Sequence, residues 1–240
     1  MNDTKKGPAL RAALVETVSD EVGKGVYVWG GNGELLTGMP DPHGWIERRE
    51  TSPGNAKRAQ ALFDRRRKAG TEEIRAFDCS GLVYWALKKL GVLKTDVSSR
   101  GLYAMCRPVK EDELLPGDLV FHHDGKQIVH VGICAGADQI ECRGRDAGVV
   151  RNRRRSGYWN RFGRLPCTED EAGERFVYVR GGSVRVREGG GVQTRCIGIV
   201  HKGERYPLLG AAPSGWYRIA WRGAEAYITN RPQYTEVRDG

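Results

Sequence analysis

The sequence predicts an α+β fold in its first two thirds and a small all-β module after it. Apolar residues recur with helical spacing in residues 10–22 and 78–90, and short alternating segments separated by glycines follow from residue 114. This order, a helix and then a meander of strands, indicates a helix packed on an antiparallel sheet. After residue 175, five short alternating segments with glycine at most turns predict a small, strongly bent β-barrel.

Composition limits the size of the fold and the class of partner. The chain has 240 residues, of which 39% are hydrophobic, enough for one domain of moderate size with its own core and a smaller module. The net charge of +9 favours polyanionic partners, and nucleic acid, anionic wall polymers and a membrane surface all satisfy it. No window has the apolar length of a membrane span.

The N-terminal residues and the cysteines indicate the cellular compartment in which the protein is made. The first 23 residues contain no apolar stretch of signal-peptide length, so we expect synthesis in the cytoplasm without a signal peptide. Six cysteines would allow a disulfide framework, but without a secretory signal reduced thiols are favoured.

The sequence predicts three parts along the chain. Residues 1–166 form the larger domain, the polar and acidic residues 167–175 a linker, and residues 176–240 the all-β module. Within the first part, residues 34–75 are polar and broken by prolines, so we interpret them as an insertion that forms either a lid beside the site or a surface excursion. The segment "NAKRAQALFDRRRKAG" in this insertion is typical of a solvated basic helix.

Cys79 lies where a short polar turn meets the second helix, in "AFDCSGLVYWALKKLG". Asp78 is a plausible N-cap, and the amides of Ser80, Gly81 and Leu82 would then direct their partial positive charge at the sulfur and at a developing oxyanion. A thiol in such a position is either a nucleophile or a buried small hydrophobe, and the residues alone leave both open.

A nucleophilic cysteine requires a base, and His130 is the best placed histidine. It projects from the middle of a predicted strand, which holds the ring rigidly, and Glu141 on the next strand could orient it. His130 could equally be structural. A zinc site formed by His122, His123 and nearby cysteines is conceivable, but no CxxC motif or regular histidine spacing supports it.

Five segments of the chain together resemble the NlpC-type family of bacterial cell-wall cysteine endopeptidases, in the family's order. They are "YVWGGNG", "FDCSGLVYWAL", "LPGDLVFH", "HVGICAG" and "QIECRGRDAGVV". The resemblance implies a papain-like fold with Cys79 as nucleophile and His130 as base and acid. Where the family often has a third histidine, this sequence has Glu141, which would accept a bond from Nδ1–H of the base.

The resemblance also implies a reaction and further site residues. Such enzymes cut peptidoglycan stem peptides, typically between γ-D-glutamyl and the diamino acid, through a thioester and without a metal or organic cofactor. Tyr27, Asp78 and Ser80 match substrate-contacting positions of the family. The missing signal sequence is consistent with a phage-endolysin-type hydrolase that acts at the bacterial wall after release.

The C-terminal segments "VRVREGGG", "GWYRIAW" and "AYITN" are similar to bacterial SH3-like domains, which in this context bind wall peptides or glycan. Upstream, "RNRRRSGYWNRFGR" contains six arginines and no acid. We expect four arginines of this run to bind anionic wall polymer, in preference to nucleic acid. They are Arg151, Arg153, Arg154 and Arg155.

Two other functions remain open from the sequence. One is a non-catalytic wall-binding protein whose papain-like domain has lost activity. The other is a related Cys–His amidase or acyltransferase that acts elsewhere.

Overall fold

The computed structural model describes residues 6–155, 157–169, 175–212 and 215–239. The chain divides into two compact units, one of residues 14–166 and one that combines residues 6–13 with the residues from 167 onward. Most of the predicted linker, residues 170–174, lies outside the described residues. No helix in the described ranges is long and apolar enough to cross a bilayer.

Five α-helices occur in the described residues. They are α1 (Gly7–Ser19), α2 (Pro42–Arg49), α3 (Pro53–Lys68), α4 (Cys79–Lys89) and α5 (Ser99–Met105).

Nine strands of residues 14–166 form two sheets. The strands are β1 (Val26–Tyr27), β2 (Asn32–Leu35), β3 (Arg75–Phe77), β4 (Arg107–Pro108), β5 (Leu119–His123), β6 (Ile128–Ala135), β7 (Asp138–Cys142), β8 (Val149–Arg153) and β9 (Arg161–Arg164). The smaller sheet has the order β1-β3-β2, and β1 and β3 run parallel. The larger sheet is antiparallel, in the order β4-β9-β5-β6-β7-β8.

Helix α4 connects the sequence pattern to the fold. The prediction of a helix over 78–90 is confirmed, because α4 runs from Cys79 to Lys89 between its caps, Asp78 and Leu90. The apolar face of α4 is fully buried and packs against β6 and β7. A helix on an antiparallel sheet is thus the architecture around Cys79, and the predicted α+β class of this unit is confirmed.

The segment predicted as an insertion contributes to an apolar core shared with β1, which corrects one expectation. Helix α3 is basic in its last turn, but it is not simply solvated, since Ala59, Leu62 and Phe63 are buried. These side chains belong to one apolar cluster with Val26 on β1 and Ile46 on α2. The prediction erred because a run of arginines and lysines conceals a narrow apolar stripe at helical spacing.

The remaining described strands form the second unit. They are β10 (Arg175–Val179), β11 (Ser183–Arg187), β12 (Cys196–His201), β13 (Arg205–Ala211), β14 (Trp216–Trp221), β15 (Ala224–Thr229) and β16 (Thr235–Asp239). They pair antiparallel in the order β12-β11-β15-β14-β13-β10-β16. One predicted segment, "CIGIVHKGERYPLL", forms two strands joined by a turn at Gly203, which has a φ of +92°. The SH3-like character of this unit stays a prediction.

Candidate active site

Cys79 is the first residue of α4 and is half-buried. The preceding Asp78 is extended, and its Oδ1 accepts bonds from the amide of Gly81 at 2.7 Å and the hydroxyl of Ser80 at 3.0 Å. Its Oδ2 accepts from the amide of Gly30 at 3.1 Å, which ties α4 to the glycine turn after β1. The predicted N-cap is therefore confirmed, and the cap also fixes the turn that presents the thiol.

The same cap corrects the expectation about oxyanion donors. The amide of Gly81 is bonded to the Asp78 side chain, and the amide of Leu82 is bonded to the Asp78 carbonyl at 3.2 Å. Neither can donate to a substrate while the cap holds. Of the three amides proposed from sequence, Ser80 is the one that the Asp78 cap leaves available.

His130 on β6 and Glu141 on β7 form a hydrogen-bonded pair. Nε2 of His130 lies 2.7 Å from Oε2 of Glu141. The nitrogen differs from the Nδ1 expected from sequence. The strand register explains why these two side chains meet. Because Ile133 pairs with Ile140, Glu141 lies opposite Gly132 and is a diagonal neighbour of His130 across the two strands.

Burial and charge set the protonation of this pair. Burial lowers the pKa of His130, but hydrogen bonds with Cys79 and Glu141 and the negative charge of both groups outweigh it and raise the pKa to about 9. Burial likewise raises the pKa of Glu141, but the hydrogen bond and charge of His130 outweigh it and hold the pKa below its usual value. Glu141 is thus an ionised carboxylate beside an imidazole that readily binds a proton.

Trp159 and Gln139 complete the surroundings of the pair. The buried indole of Trp159 stacks on the His130 ring, with centroids 5.5 Å apart and planes inclined by 21°. The fully buried Gln139, two residues before Glu141 on β7, donates from Nε2 to the second carboxylate oxygen at 3.4 Å. Both contacts limit the orientations open to His130 and Glu141.

Tyr27 lies on β1 and is buried. Burial raises the pKa of its hydroxyl above the usual range, and the negative charges of Cys79 and Asp78 raise it further. The guanidinium of Arg145 lies 4.8 Å above the Tyr27 ring. The structure thus places Tyr27 in the electrostatic neighbourhood of Cys79, while substrate contact by Tyr27, Asp78 and Ser80 stays a prediction.

Glu50, just after α2, holds Arg145 in this position. Its buried Oε2 accepts two bonds from Arg145, at 2.6 and 2.8 Å, and its Oε1 accepts the amide of Trp29 at 3.2 Å. The segment 34–75 is therefore linked to the site by the Glu50 carboxylate, which binds Arg145. Sequence reasoning missed this pair, since 95 positions separate its members and no local pattern connects them.

The residues considered for zinc have other partners. His122 stacks on Tyr158 with centroids 4.2 Å apart, and its Nδ1 lies 2.7 Å from the Tyr158 carbonyl. The thiols of Cys134 and Cys142 contact backbone carbonyls. In the parts of the chain that the structure describes, no three histidine, cysteine or acidic side chains group as metal ligands.

The basic run divides into arginines with different contacts. Arg151 bonds to Asp138 at 3.0 Å, and Arg154 bonds to the carbonyl of Gly136 at 2.8 Å, so both fasten strand ends. Arg153 is exposed on β8. Arg155 is exposed and lies over an aromatic ring of the site.

Comparison with known proteins adds to this geometry. Residues 65–164 match the sequence model of the NlpC/P60 family, and this range contains Cys79, His130 and Glu141 but not Tyr27. Residues 65–164 are an NlpC/P60 domain. Four of the five sequence segments lie in this range, so the resemblance is confirmed for this part of the chain, whereas "YVWGGNG" lies outside it.

Relatives of the NlpC/P60 domain include two enzymes of bacilli. The bifunctional muramidase/DL-endopeptidase CwlT of Bacillus subtilis is 34% identical over 103 residues, which are 40% of this chain and 31% of CwlT. The peptidoglycan DL-endopeptidase CwlO of Bacillus licheniformis is 30% identical over 159 residues, 66% of this chain and 27% of CwlO. The chain thus spans less than a third of either relative.

Among solved structures, the peptidoglycan hydrolase RipB of Mycobacterium tuberculosis superposes with a TM-score of 0.44 at 22% identity. The superposition covers 65% of this chain and 64% of that one.

Proposed function

We propose that this protein hydrolyses peptidoglycan stem peptides at the bond between γ-D-glutamyl and the diamino acid. One observation carries the proposal: Cys79 lies at a capped helix start beside the His130–Glu141 pair, inside an NlpC/P60 domain. Two relatives of this domain bear the name DL-endopeptidase, which supports the same class of bond. Peptidoglycan as substrate places the action of the protein at the bacterial wall.

The proposed chemistry proceeds in two steps. Cys79 Sγ attacks the γ-carbonyl carbon, and His130 takes up the thiol proton and passes it to the leaving amine as the C–N bond breaks. The acyl group remains on sulfur as a thioester. His130 then removes a proton from water, the hydroxide attacks the thioester, and the γ-carboxylic acid leaves with the thiol restored. Glu141 keeps His130 oriented and stabilises its charged form throughout.

The second unit offers aromatic side chains through which the protein could attach to the wall. Strands β13 to β15 carry five aromatic residues. Of these, Trp221 is buried, and Tyr206 and Tyr217 pack against the apolar cluster of this unit. Trp216 and Tyr227 are not part of that cluster and are half-exposed. We propose that the unit is an SH3-like wall-binding module that uses these two rings. Co-sedimentation of a Cys79→Ala variant with insoluble peptidoglycan, with and without Trp216→Ala, tests this, since intact binding without Trp216 would contradict it.

Digestion of purified peptidoglycan, followed by mass spectrometry of the soluble fragments, tests the enzymatic proposal. The wild-type protein and a Cys196→Ala control, which alters an exposed cysteine of the second unit, should both release fragments ending in γ-D-glutamate. Cys79→Ala should release none. If Cys79→Ala digests as well as the wild type, the chain is not a cysteine hydrolase. If neither digests but both bind the wall, the non-catalytic alternative holds. Transfer of an acyl group trapped on Cys79 to an amine would indicate an acyltransferase.

A further inference from the structure

An aromatic wall flanks His130 on the β6 side of the site. Trp159 stacks on the His130 ring, and Tyr158 approaches the same ring edge-on with centroids 6.5 Å apart. His122 stacks on Tyr158, within 6° of parallel, and its bond to the Tyr158 carbonyl fixes that residue. The wall is therefore built by packing and hydrogen bonding.

Arg155 lies on this wall. Its guanidinium carbon is 4.0 Å from the centroid of the Tyr158 ring, a cation–π contact that holds the charge in place. Burial raises the pKa of the Tyr158 hydroxyl, while the charge of Arg155 and a hydrogen bond from it act in the opposite direction. The positive charge of Arg155 also helps to lower the pKa of Glu141, so it acts electrostatically on the His130–Glu141 pair.

The partners of Arg155 differ from those of its neighbours in the basic run. Arg151 is paired with Asp138, and Arg154 with Glu111 and a backbone carbonyl. Within the described part of the chain, no carboxylate forms an ion pair with Arg155, which is exposed. An exposed guanidinium that lies on an aromatic face has further N–H donors besides the one bonded to Tyr158, and it is suited to bind a carboxylate in bidentate geometry.

The reaction defines which part of a substrate meets this wall. In the proposed mechanism His130 gives its proton to the leaving amine, so the residue that carries this amine must lie beside His130. That residue is the diamino acid. Arg155 lies on the Tyr158 ring, which approaches His130 edge-on, so the diamino acid and the residues on its C-terminal side are the parts of a bound stem peptide expected nearest to Arg155.

We propose that Arg155 binds a free carboxylate on the leaving residue and thereby selects stem peptides whose diamino acid carries one, as diaminopimelate does and lysine does not. This inference rests on the proposed function. A carboxylate in this place could also be the C-terminal carboxylate of a shortened stem peptide. Both sources present the same chemistry to the guanidinium.

Four synthetic L-Ala–γ-D-Glu peptides separate these sources. Three end in a C-terminal amide and carry diaminopimelate with its side-chain carboxylate free, the same residue with that carboxylate amidated, or lysine. The fourth carries lysine with a free C-terminal carboxylate. Each is assayed with the wild type, Arg155→Met, Arg155→Lys and, as a matched control, Arg161→Met, which alters another exposed arginine of the same basic run.

For the free-carboxylate diaminopimelate peptide, Arg155→Met should lower kcat/KM at least tenfold, mainly through KM, and Arg155→Lys should restore part of it. For the amidated peptide, Arg155→Met should change kcat/KM less than twofold, and Arg161→Met should match the wild type on every peptide. If Arg155→Met loses kcat/KM equally on the free-carboxylate and amidated diaminopimelate peptides, or loses none, the inference is overturned while the proposed function stands. If the loss appears with the fourth peptide only, the carboxylate bound is the C-terminal one, and selection for diaminopimelate is overturned. If the wild type cleaves none of the peptides and releases nothing from peptidoglycan, both proposals fail.

Discussion

Glu141 accepts a hydrogen bond from Nε2 of His130 at 2.7 Å, and only 1% of the Glu141 side chain is exposed. The other ring nitrogen, Nδ1, is therefore the one left for the thiol of Cys79. A carboxylate at this place fixes the ring orientation and also stabilises the imidazolium that forms when the thiol gives up its proton. A neutral side chain in the same position could supply the orientation without the charge.

Glu141→Gln separates these two contributions. The amide can still accept a bond from Nε2, but it removes the negative charge, so we expect kcat to fall on the order of 10²- to 10⁴-fold with a small change in KM. Steady-state kinetics on a γ-D-glutamyl peptide measures this. Glu111→Gln, which neutralises an exposed acid paired to Arg154, serves as control and should retain wild-type kcat. Equal kcat in both variants would show that the charge of Glu141 is dispensable.

The pKa values of the pair predict a pH window for its contribution to stability. Because the folded pKa of His130 is raised from 6.5 to about 9, its contribution is complete below about pH 6.5 and is lost as the pH rises through 9. Because the folded pKa of Glu141 is depressed, its contribution is present above 4.5 and is lost as the pH falls. Urea unfolding of wild type and Glu141→Gln should therefore differ most between about pH 5 and 6.5 and converge toward pH 9.5. A difference that grows toward pH 9.5 would contradict the assigned shifts.

The buried pair of Glu50 and Arg145 should be costly to break. Glu50→Gln leaves a guanidinium without its counter-charge at a largely buried place, so we expect a loss of about 3–5 kcal/mol in the free energy of unfolding and lower activity through displacement of Tyr27. The exposed pair of Arg58 and Asp146 joins α3 to the same loop and provides the control. Arg58→Ala should lower the free energy of unfolding far less than Glu50→Gln does, because water screens an exposed ion pair, and it should leave kcat unchanged. Similar losses in the two variants would show that the Glu50 pair has no special role.

Gly132 makes room for the His130–Glu141 pair. A Cβ at this position would lie 3.1–3.3 Å from the Ile140 carbonyl, the Trp159 ring and the Glu141 Cβ. Gly132→Ala should thus cost about 1–3 kcal/mol and lower kcat by displacing the groups that orient His130. Gly54→Ala, in α3 where the nearest atom is 4.0 Å away, should be neutral or stabilising by up to about 1 kcal/mol. Thermal unfolding and kinetics on both variants check the prediction, and unchanged kcat in Gly132→Ala would refute it.

The elements that sequence could predict are those determined locally. Helix α4 and strands β5 to β8 follow from periodicity, the Asp78 cap and glycine turns within short windows. The approach of Glu141 to His130 follows from the tight hairpin between β6 and β7, where register leaves few alternatives. Which ring nitrogen of His130 binds Glu141 was not predictable, since it depends on the diagonal offset of the two strands.

The features that sequence could not predict depend on distant parts of the chain. The parallel pairing of β1 with β3 joins residues fifty positions apart along the chain, and strand β16, "TEVRD", has too few apolar residues to be recognised. The separate contacts of Arg151 and Arg154 follow from where β8 ends relative to β7. A charge run therefore indicated a basic surface but not which of its members are available to a ligand.

The apolar cluster under α3 has a practical consequence for protein production. The family match begins at residue 65, near the end of α3, so a fragment cut to residues 65–164 would cleave that helix and discard Leu62 and Phe63. It would also lose β1, the parallel partner of β3, and β3 is the strand that leads into the Asp78 turn. A truncation boundary placed upstream of residue 14 keeps these parts together, and residues 14–166 are about half as long again as the range that matches the family.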